Sequence, residues 1–87
     1  MKQYSGAKAV EALDNFRLLV TFENGERRTF DVAPYLDKGV FKELRDKSVF
    51  NSVRVVFDTV EWENGADLCP ELLYTQSVPA AEQVLNG

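Results

Sequence analysis

The tripeptide Glu-Asn-Gly occurs twice in this chain of 87 residues, at positions 23–25 and 63–65. Each copy follows a stretch in which apolar and polar residues alternate. Asn and Gly accept the positive φ angles that tight hairpin turns demand, so each copy predicts a reversal between two antiparallel strands. The segments around the two copies do not align, so they indicate hairpins and not an internal repeat. We therefore expect a chain built mainly from short hairpins.

Alternation with a period of two residues dominates the rest of the sequence, and this is the pattern of strands with one buried face. A short strand is expected between the second turn and residue 70. The other strands are expected over residues 9–13, 16–22, 29–32, 53–57 and 60–62. The sum is a small antiparallel β-sheet of five or six short strands.

The buried face of this sheet, together with the helices, supplies the expected core. Trp62 alternates in phase with Val60, so we place it in the core, with an interface or ligand anchor as the alternative. The residues predicted to form the core are Phe16, Leu18, Val20, Phe22, Phe30, Val32, Phe41, Leu44, Phe50, Val53, Val55, Phe57, Trp62, Leu68 and Leu73.

A first short helix is expected over Gly39–Lys47. Val40, Phe41 and Leu44 have the spacing of one apolar helix face within this segment. Ser48 is a candidate cap for the turn that follows, which would bury the next two apolar side chains.

A second helix is expected to begin at Pro70, because the backbone N–H that proline lacks would have no partner in the first turn of a helix. The negative charge of Glu71 complements the partial positive charge at the N-terminus of this helix. Pro79–Leu85 predicts a last helix, with a frayed tail over 76–87 as the alternative. The strands and helices together predict a single α+β domain over 1–87.

The chain contains no histidine, which excludes Ser-His-Asp and Cys-His catalysis and histidine-ligated zinc. Its single cysteine, Cys69, has no partner for an internal disulfide. A thiolate at this position would gain from the predicted helix start, but a small apolar residue between Leu68 and Pro70 is typical of a buried site. We expect Cys69 to be buried, and no cofactor.

Four carboxylates invite a metal or acid–base interpretation: Asp58, Glu61, Glu63 and Asp67. Glu61 and Glu63 would share one strand face, roughly 6–7 Å apart along the backbone. That face is predicted to point towards solvent, so we interpret Glu61 and Glu63 as solvated surface residues and not as part of a metal-binding or catalytic site. Asp67 follows a turn, and its side chain is expected to accept from nearby backbone donors. No catalytic, metal-binding or cofactor-binding residue is assigned.

The formal net charge of −4 is unevenly distributed. From residue 58 onward there are six acidic residues and no Lys or Arg, whereas the segment Lys38–Arg54 is basic. This asymmetry suits a charged partner, although it is equally typical of a solvated face. An acidic chain without a dense basic cluster is a poor candidate for direct nucleic-acid binding.

The sequence also lacks the signals of a membrane or exported protein. No segment approaches the ~18 consecutive apolar residues of a membrane helix. The first five residues have no apolar core of the kind found in a signal peptide. We therefore expect a cytoplasmic protein that makes no membrane contact.

Leu19 and Val56 break the alternation and should point away from the main core. Either a helix of this chain or another subunit is expected to cover them. The candidate interface therefore comprises Leu19 and Val56, with the basic side chains Lys42, Arg45 and Arg54. It would serve a small protein partner or a homodimer.

Three groups of motifs resemble a small bacterial family known as domain of unknown function 2442, over about residues 8–75. They are Leu18–Gly25 followed by Phe30-Asp31-Val32, then Gly39–Asp46 with Phe50, and finally Val60–Tyr74. The resemblance implies a compact α+β domain with no established activity. Some members of the family carry a C-terminal helix-turn-helix domain, which we do not expect in a chain ending at Gly87. Others are encoded beside a second small protein, in an arrangement similar to toxin–antitoxin pairs.

Three functional hypotheses follow from these observations. The first is a non-enzymatic protein-interaction or regulatory module that acts with a small protein partner. The second is a DNA-associated transcriptional regulator, acting through Lys38–Arg54 or through a partner. The third is a metal-dependent hydrolase that uses the four carboxylates named above.

Overall fold

The computed structural model describes residues 5–80 of the chain. The strands in this range are β1 (Ala7–Leu13), β2 (Arg17–Phe22), β3 (Arg27–Asp31), β4 (Arg54–Val56), β5 (Thr59–Glu61), β6 (Asp67–Leu68) and β7 (Val78–Pro79). The α-helices are α1 (Lys47–Phe50) and α2 (Pro70–Gln76), and the 3-10 helices span Asp14–Phe16, Ala33–Tyr35 and Gly39–Arg45. The predicted antiparallel α+β fold is confirmed.

The strands divide between two antiparallel sheets. The first has the order β1-β2-β3-β7 and the second has the order β4-β5-β6. The strand β7 was not predicted, and it occupies positions where a helix was expected to begin at Pro79. Its two residues pair with Arg28 and Thr29 of β3. Residues 81–85, the remainder of that predicted helix, lie outside the described residues.

Both Glu-Asn-Gly segments form three-residue hairpin loops of the same geometry. In the first, Gly25 N–H donates to the carbonyl of Phe22 over 2.9 Å, and Phe22 N–H donates to the carbonyl of Glu26 over 2.8 Å. Gly25 has a φ of 94°, and Asn24 contributes its side chain, whose Oδ1 accepts from Glu26 N–H. Glycine therefore supplies the positive φ, and asparagine supplies a local acceptor. The second loop repeats these contacts at Trp62, Asn64, Gly65 and Ala66.

The core lies between the two sheets and α2. Leu18 pairs with Ala12 and Phe30 across the first sheet, which places all three on one face. Val60 pairs with Val55 and Leu68 across the second sheet. Most of the predicted core is confirmed, although Phe16, Phe41, Val53 and Val55 are only half-buried at its margin. The core also contains Ala7, Leu36, Val60 and Ala66.

Trp62 lies at the centre of this core, as predicted. Its side chain has no exposed surface. The ring stands edge-on to Phe41 and tilted against Phe50, each with a centroid separation of 6.2 Å. Its Nε1–H donates to the backbone carbonyl of Phe50 over 2.9 Å, so the one polar atom of the side chain is satisfied.

Phe57 was predicted to belong to the core, and this prediction is wrong. Val56 pairs directly with Thr59, so Phe57 and Asp58 form a two-residue turn between β4 and β5. The strand alternation therefore stops at Val56, and the side chain of Phe57 is 94% exposed.

The segment predicted as a helix over Gly39–Lys47 is a 3-10 helix that ends at Arg45 and buries Leu44. Asp46, rather than Ser48, caps the following helix α1. Its Oδ1 accepts from the backbone N–H of Ser48 over 2.9 Å and from the Ser48 hydroxyl over 2.8 Å. Both donors belong to Ser48, and its own hydroxyl could not accept from them. The carboxylate of Asp46 is therefore the capping group.

The cap has a consequence at low pH. The hydrogen bonds from the Ser48 side chain and backbone hold the pKa of Asp46 below its usual 3.8. A depressed pKa stabilises the fold above pH 3.8, and this contribution is lost as the pH falls further through the folded-state value. We expect Asp46→Asn, which keeps an acceptor but cannot titrate, to lose less stability on acidification below pH 3.8 than the parent. Urea unfolding at neutral and acidic pH measures this, and equal losses would contradict it.

Helix α2 begins at Pro70, as predicted. Cys69 was expected to be buried, and this prediction is wrong because its side chain is exposed. Leu68 takes the inward position of β6, so the next residue in an extended backbone points outward.

Arg28 connects β3 to the end of α2. Its side chain is 16% exposed and lies on the core face, opposite Val20 of β2. Nε donates to the Ser77 hydroxyl over 2.7 Å, and Nη2 donates to the Ser77 carbonyl over 2.8 Å. The guanidinium also lies 4.5 Å from the centre of the Tyr74 ring. One arginine thus holds the residues that lead from α2 into β7.

Within residues 5–80, no helix has the length and apolar character needed to cross a membrane.

Candidate interaction surface

Leu19 lies on the outer face of the first sheet, as its phase predicts. It is half-buried and pairs with Glu11 of β1 and Thr29 of β3. Thr29 is in turn paired with Val78 of β7, which is 56% exposed. A row of side chains therefore crosses this face of the sheet, with Leu19 beside Thr29 at its centre and the exposed Val78 at one end.

Val56 lies in the other sheet, beside the β4–β5 turn. It is half-buried and pairs with Thr59, on the face opposite Val55. Leu19 is in β2 of the first sheet. Strand pairing therefore does not place the side chains of Leu19 and Val56 side by side. Val56 lies next to Phe57, whereas Leu19 lies in a separate row that ends at the exposed Val78.

Two of the three predicted basic residues face carboxylates. Arg45 Nη2 lies 2.7 Å from Asp37 Oδ1, and Arg54 Nη2 lies 3.8 Å from Glu61 Oε2. The third, Lys42, is exposed on the 3-10 helix that contains Arg45. These pairings leave less net positive charge on this surface than the sequence of the segment alone indicates.

The four candidate carboxylates do not form a cluster. Across the part of the chain that the structure describes, no group of three or more His, Cys, Asp or Glu side chains is arranged to hold a metal ion. Glu61 pairs with Asp67 in the register of the second sheet and also faces Arg54. The local acceptor after the turn is Asn64, whose Oδ1 accepts from Ala66 N–H, and Asp67 is exposed.

The β4–β5 turn has an unusual composition for its geometry. Phe57 has a φ of 49° and Asp58 has a φ of 71°, and a two-residue hairpin turn with both angles positive strongly favours Asn-Gly. The left-handed conformation costs an L-residue roughly 1–2 kcal/mol, and a bulky aromatic residue is rarely found there. The tip of this hairpin therefore carries local strain together with an exposed phenyl ring.

The first strand holds this turn in place. Ala7 N–H donates to the carbonyl of Asp58 over 3.0 Å. Gly6 packs so closely that a Cβ added to it would lie 2.6 Å from the Cβ of Asp58. Only glycine permits this approach, and the contact fixes the turn from which Phe57 projects.

A second strained loop lies at the other end of β1. Asn15 and Phe16 have φ values of 62° and 59°. The ring of Phe16 packs edge-on to Phe50 with a centroid separation of 5.4 Å, and its carbonyl accepts from Val32 N–H. Contacts with the core thus compensate for the strain at Phe16, whereas the exposed ring of Phe57 has no comparable packing.

Beside this second loop is an open cavity of about 220 Å³. It lies between the β1–β2 connection and α1. The lining residues are Ala12, Leu13, Asp14, Asn15, Phe16, Lys47, Phe50 and Asn51. Aromatic side chains therefore form part of its wall, and charged and amide side chains form its rim.

The sequence contained one signal for the β4–β5 turn. The apolar positions change parity, from 53 and 55 to 60 and 62, and a change of phase in alternating strands indicates a reversal between them. Positions 57 and 58 contain no glycine, proline or asparagine, so Asp58 was the only turn-favouring residue type there to support that signal.

Comparison with known proteins identifies the family. A family model described as "Protein of unknown function (DUF2442)" matches residues 7–79, which includes every strand of both sheets. The chain belongs to this family. No curated protein and no solved structure matches it. Because the DUF2442 description names no activity, the site geometry is the basis for a functional proposal in this member.

Removing the strain at the hairpin tip should stabilise the protein. We expect Phe57→Asn to raise the free energy of unfolding by about 1 kcal/mol. Asparagine adopts positive φ more readily, and removing the exposed phenyl ring sacrifices no packing. Val40→Asn is a matched control, since Val40 is also exposed but does not have positive φ. Urea unfolding compares the three proteins. A marked loss of stability in Phe57→Asn would show that the ring makes a stabilising contact.

Proposed function

We propose that this protein is a non-enzymatic interaction module of the bacterial cytoplasm, which binds a small protein partner through the Phe57 hairpin tip. The observation that carries the proposal is the 94% exposed phenyl ring on a turn with positive φ at both residues. Strained, exposed residues that do nothing for the fold are candidates for function. Aromatic side chains are also prominent among the residues that dominate binding energy at protein interfaces.

The other turns of the same chain support this interpretation. The two Glu-Asn-Gly loops place glycine where φ is positive and expose no aromatic side chain. The β4–β5 turn has the stricter requirement and yet contains Phe57 and Asp58. A turn selected only for folding would favour asparagine and glycine at these positions.

The tip is also presented rigidly. The Ala7 hydrogen bond and the close packing of Gly6 fix the turn backbone before any partner binds. A preorganised anchor loses less conformational entropy on binding, so more of the contact energy contributes to affinity.

The charges around the tip indicate the chemistry of the partner. Asp58 lies beside Phe57, whereas the charge of Glu61 on β5 is offset by Arg54, which it faces. The whole chain has a net charge of −4. A partner with an apolar pocket and a basic rim would complement this surface. The paired-gene arrangement implied by the family resemblance suits a regulatory role for such a complex.

The DNA-associated alternative has weaker support. It depends on the segment Lys38–Arg54, in which Arg45 faces Asp37. Arg54 faces Glu61 in the same way. Each carboxylate would oppose the approach of a phosphate backbone.

The test begins with affinity purification from the native host, using the parent, Phe57→Asn and the control Val40→Asn. A partner identified by mass spectrometry is then purified and titrated against all three proteins by calorimetry. We expect the parent and Val40→Asn to bind equally and Phe57→Asn to bind at least about tenfold more weakly. Equal binding by all three proteins would overturn the proposal.

A DNA shift assay at two salt concentrations tests the alternative on the same proteins. Salt-sensitive DNA binding that Phe57→Asn retains, and that a triple substitution of Lys42, Arg45 and Arg54 by Gln abolishes, would favour the DNA-associated function instead.

A further inference from the structure

We propose that Asn24 is a site of spontaneous covalent modification, where water converts the asparagine to aspartate and isoaspartate, and that Asn64 is protected from the same reaction. Both residues stand in the tripeptide Glu-Asn-Gly, so their immediate neighbours in the chain are identical. The two sites differ in the contacts of the asparagine side chain. The reaction requires no partner at the Phe57 tip, so it is independent of the proposed interaction function.

The reaction begins at the glycine that follows the asparagine. The backbone nitrogen of Gly25 loses its proton and attacks Cγ of Asn24, the bond from Cγ to Nδ2 breaks, and the side-chain nitrogen leaves as ammonia. Water then opens the cyclic imide that has formed. Opening at Cγ gives aspartate, whereas opening at the backbone carbonyl of Asn24 leaves the chain joined through the side chain, as isoaspartate. Glycine favours ring closure because it has no side chain to hinder the approach.

Both folded loops hold the attacking nitrogen in a hydrogen bond. Gly25 N–H donates to the carbonyl of Phe22 over 2.9 Å, and Gly65 N–H donates to the carbonyl of Trp62 over 3.0 Å. Attack on the side chain therefore requires the loop to open locally. Local opening costs least where the backbone is exposed and few other contacts must break. The contacts of each asparagine side chain thus determine which site reacts faster.

Asn24 is held only within its own hairpin. Residues 23–26 are all exposed, and Oδ1 of Asn24 accepts from Glu26 N–H over 2.9 Å. Its Nδ2 donates to no residue of the range 5–80. The loop meets the start of β1 through Glu23 N–H, which donates to the carbonyl of Gly6 over 2.9 Å, but this bond does not restrain the asparagine side chain.

Asn64 is held to a separate element as well. It is half-buried, and its Oδ1 accepts from Ala66 N–H over 3.1 Å. Its Nδ2 donates to the carbonyl of Val40 over 3.2 Å and to Glu43 Oε1 over 2.9 Å. A backbone carbonyl and a carboxylate only accept, so the nitrogen must be the atom that faces them. The leaving group of the reaction is therefore anchored to the 3-10 helix Gly39–Arg45.

Charge does not distinguish the two sites. A nearby carboxylate disfavours loss of the glycine proton, because it repels the anion that would form. Glutamate precedes the asparagine at both sites. A further carboxylate follows the first loop at Glu26, and another faces the second loop at Glu43. The hydrogen bonds of Nδ2 are thus the main difference between them.

The isoaspartate product should loosen the first hairpin, because it adds an atom to the main chain between positions 24 and 25. Both hydrogen bonds that close the loop span this link. One runs from Gly25 N–H to Phe22, and the other from Phe22 N–H to Glu26. Amide hydrogen exchange at Phe22 and Gly25 should therefore be faster in the isoaspartate form than in fresh protein. Unchanged exchange at both amides would contradict this consequence.

Ageing the 87-residue chain in neutral buffer at physiological temperature tests the proposal. Proteolysis and mass spectrometry that separates aspartate from isoaspartate then measure conversion at each site. We expect Asn24 to convert at least about tenfold faster than Asn64, since two more hydrogen bonds must break at Asn64. In denaturing urea the two rates should become similar. A third Asn-Gly pair, Asn86-Gly87, lies outside the described residues and is measured as a separate peptide.

Two outcomes of this experiment would overturn the proposal. One is equal conversion at Asn24 and Asn64 in the folded protein, or faster conversion at Asn64. The other is no conversion at Asn24 over a period in which the urea-denatured chain is converted.

Variants of Glu43 test the origin of the protection. Glu43→Ala removes an acceptor from Nδ2 of Asn64, so we expect conversion at Asn64 to accelerate about fivefold and conversion at Asn24 to remain unchanged. Lys42→Ala changes the preceding exposed residue of the same 3-10 helix and should alter neither rate. Glu43→Gln retains an acceptor oxygen and should preserve the protection. If Glu43→Gln accelerates conversion at Asn64 as much as Glu43→Ala does, or if neither changes it, the hydrogen bond is not what protects this residue.

Discussion

Replacing Trp62 by alanine should lower the free energy of unfolding by about 3–5 kcal/mol, a large share of the 5–15 kcal/mol typical of a small domain. The side chain has no exposed surface and packs between Phe41 and Phe50. Its removal would leave a large void, because neighbouring rings cannot collapse completely into the space. Urea unfolding followed by circular dichroism measures the loss, since the substitution removes the chain's one tryptophan.

Trp62→Phe separates the packing contribution from the hydrogen bond. Phenylalanine preserves much of the ring but leaves the carbonyl of Phe50 without the Nε1–H donor. The carbonyl keeps only the 3.4 Å hydrogen bond from Val53 N–H, and losing a buried hydrogen bond costs about 0.5–1.5 kcal/mol, so this variant should lie between the parent and Trp62→Ala. A Trp62→Ala protein that melts within about 2 °C of the parent would show that this side chain is not central to the core.

The second large effect is expected at Arg28. We expect Arg28→Met to lower the free energy of unfolding by about 2–4 kcal/mol, because it removes two charge-assisted hydrogen bonds to Ser77 and the contact with Tyr74. Ser77 is itself buried, so its hydroxyl would lose its donor in a site with little access to water. Urea unfolding and amide hydrogen exchange near β7 measure the effect.

Arg27 provides the matched control, since it precedes Arg28 in the same strand and is exposed. Arg27→Met should change stability by no more than about 0.5 kcal/mol. Arg28→Lys should be intermediate, because lysine keeps the charge but lacks the planar fork that reaches both oxygens of Ser77. Equal effects of Arg27→Met and Arg28→Met would rule out a special role for the Ser77 contacts.

The features of the fold that follow from local chemistry could be predicted from the sequence. The two hairpin loops depend on Gly25 and Gly65, and the core face of β2 depends on strict alternation. Helix α2 begins at a proline, because the backbone N–H that proline lacks would have no partner in the first turn of a helix. In each case the residue type restricts the backbone directly, so distant parts of the chain need not be known.

The features that depend on distant contacts could not be predicted. The β4–β5 turn is held by Ala7 and Gly6, about fifty positions away in sequence, and Asp58 is the only member of the pair Phe57-Asp58 whose residue type favours a turn. Strand β7 is recognisable only through its pairing with β3. The separation into two sheets also depends on tertiary packing, which alternation in a single strand does not report.

The candidate site shows the same division. Leu19 and Val56 were correctly placed off the main core face, because their phase in the strands is a local property. The basic residues were predicted without their carboxylate neighbours Asp37 and Glu61, which lie just outside the segment Lys38–Arg54 and face it only in the folded chain. Phe57 was predicted to be buried in the core, but its side chain is exposed. Hydrophobicity alone does not distinguish a core side chain from one exposed by a turn.

The bond between Ala7 and Asp58 also has a consequence for the order of folding. The two Glu-Asn-Gly hairpins close loops of three residues, so they can form early and independently of the rest of the chain. Joining Ala7 to Asp58 closes a loop of about fifty residues, with an entropic cost of roughly 3.5 kcal/mol from chain length alone. We therefore expect the Phe57 turn to acquire its final conformation late, after the transition state for folding. Substitutions at Gly6 would then accelerate unfolding and leave the folding rate nearly unchanged.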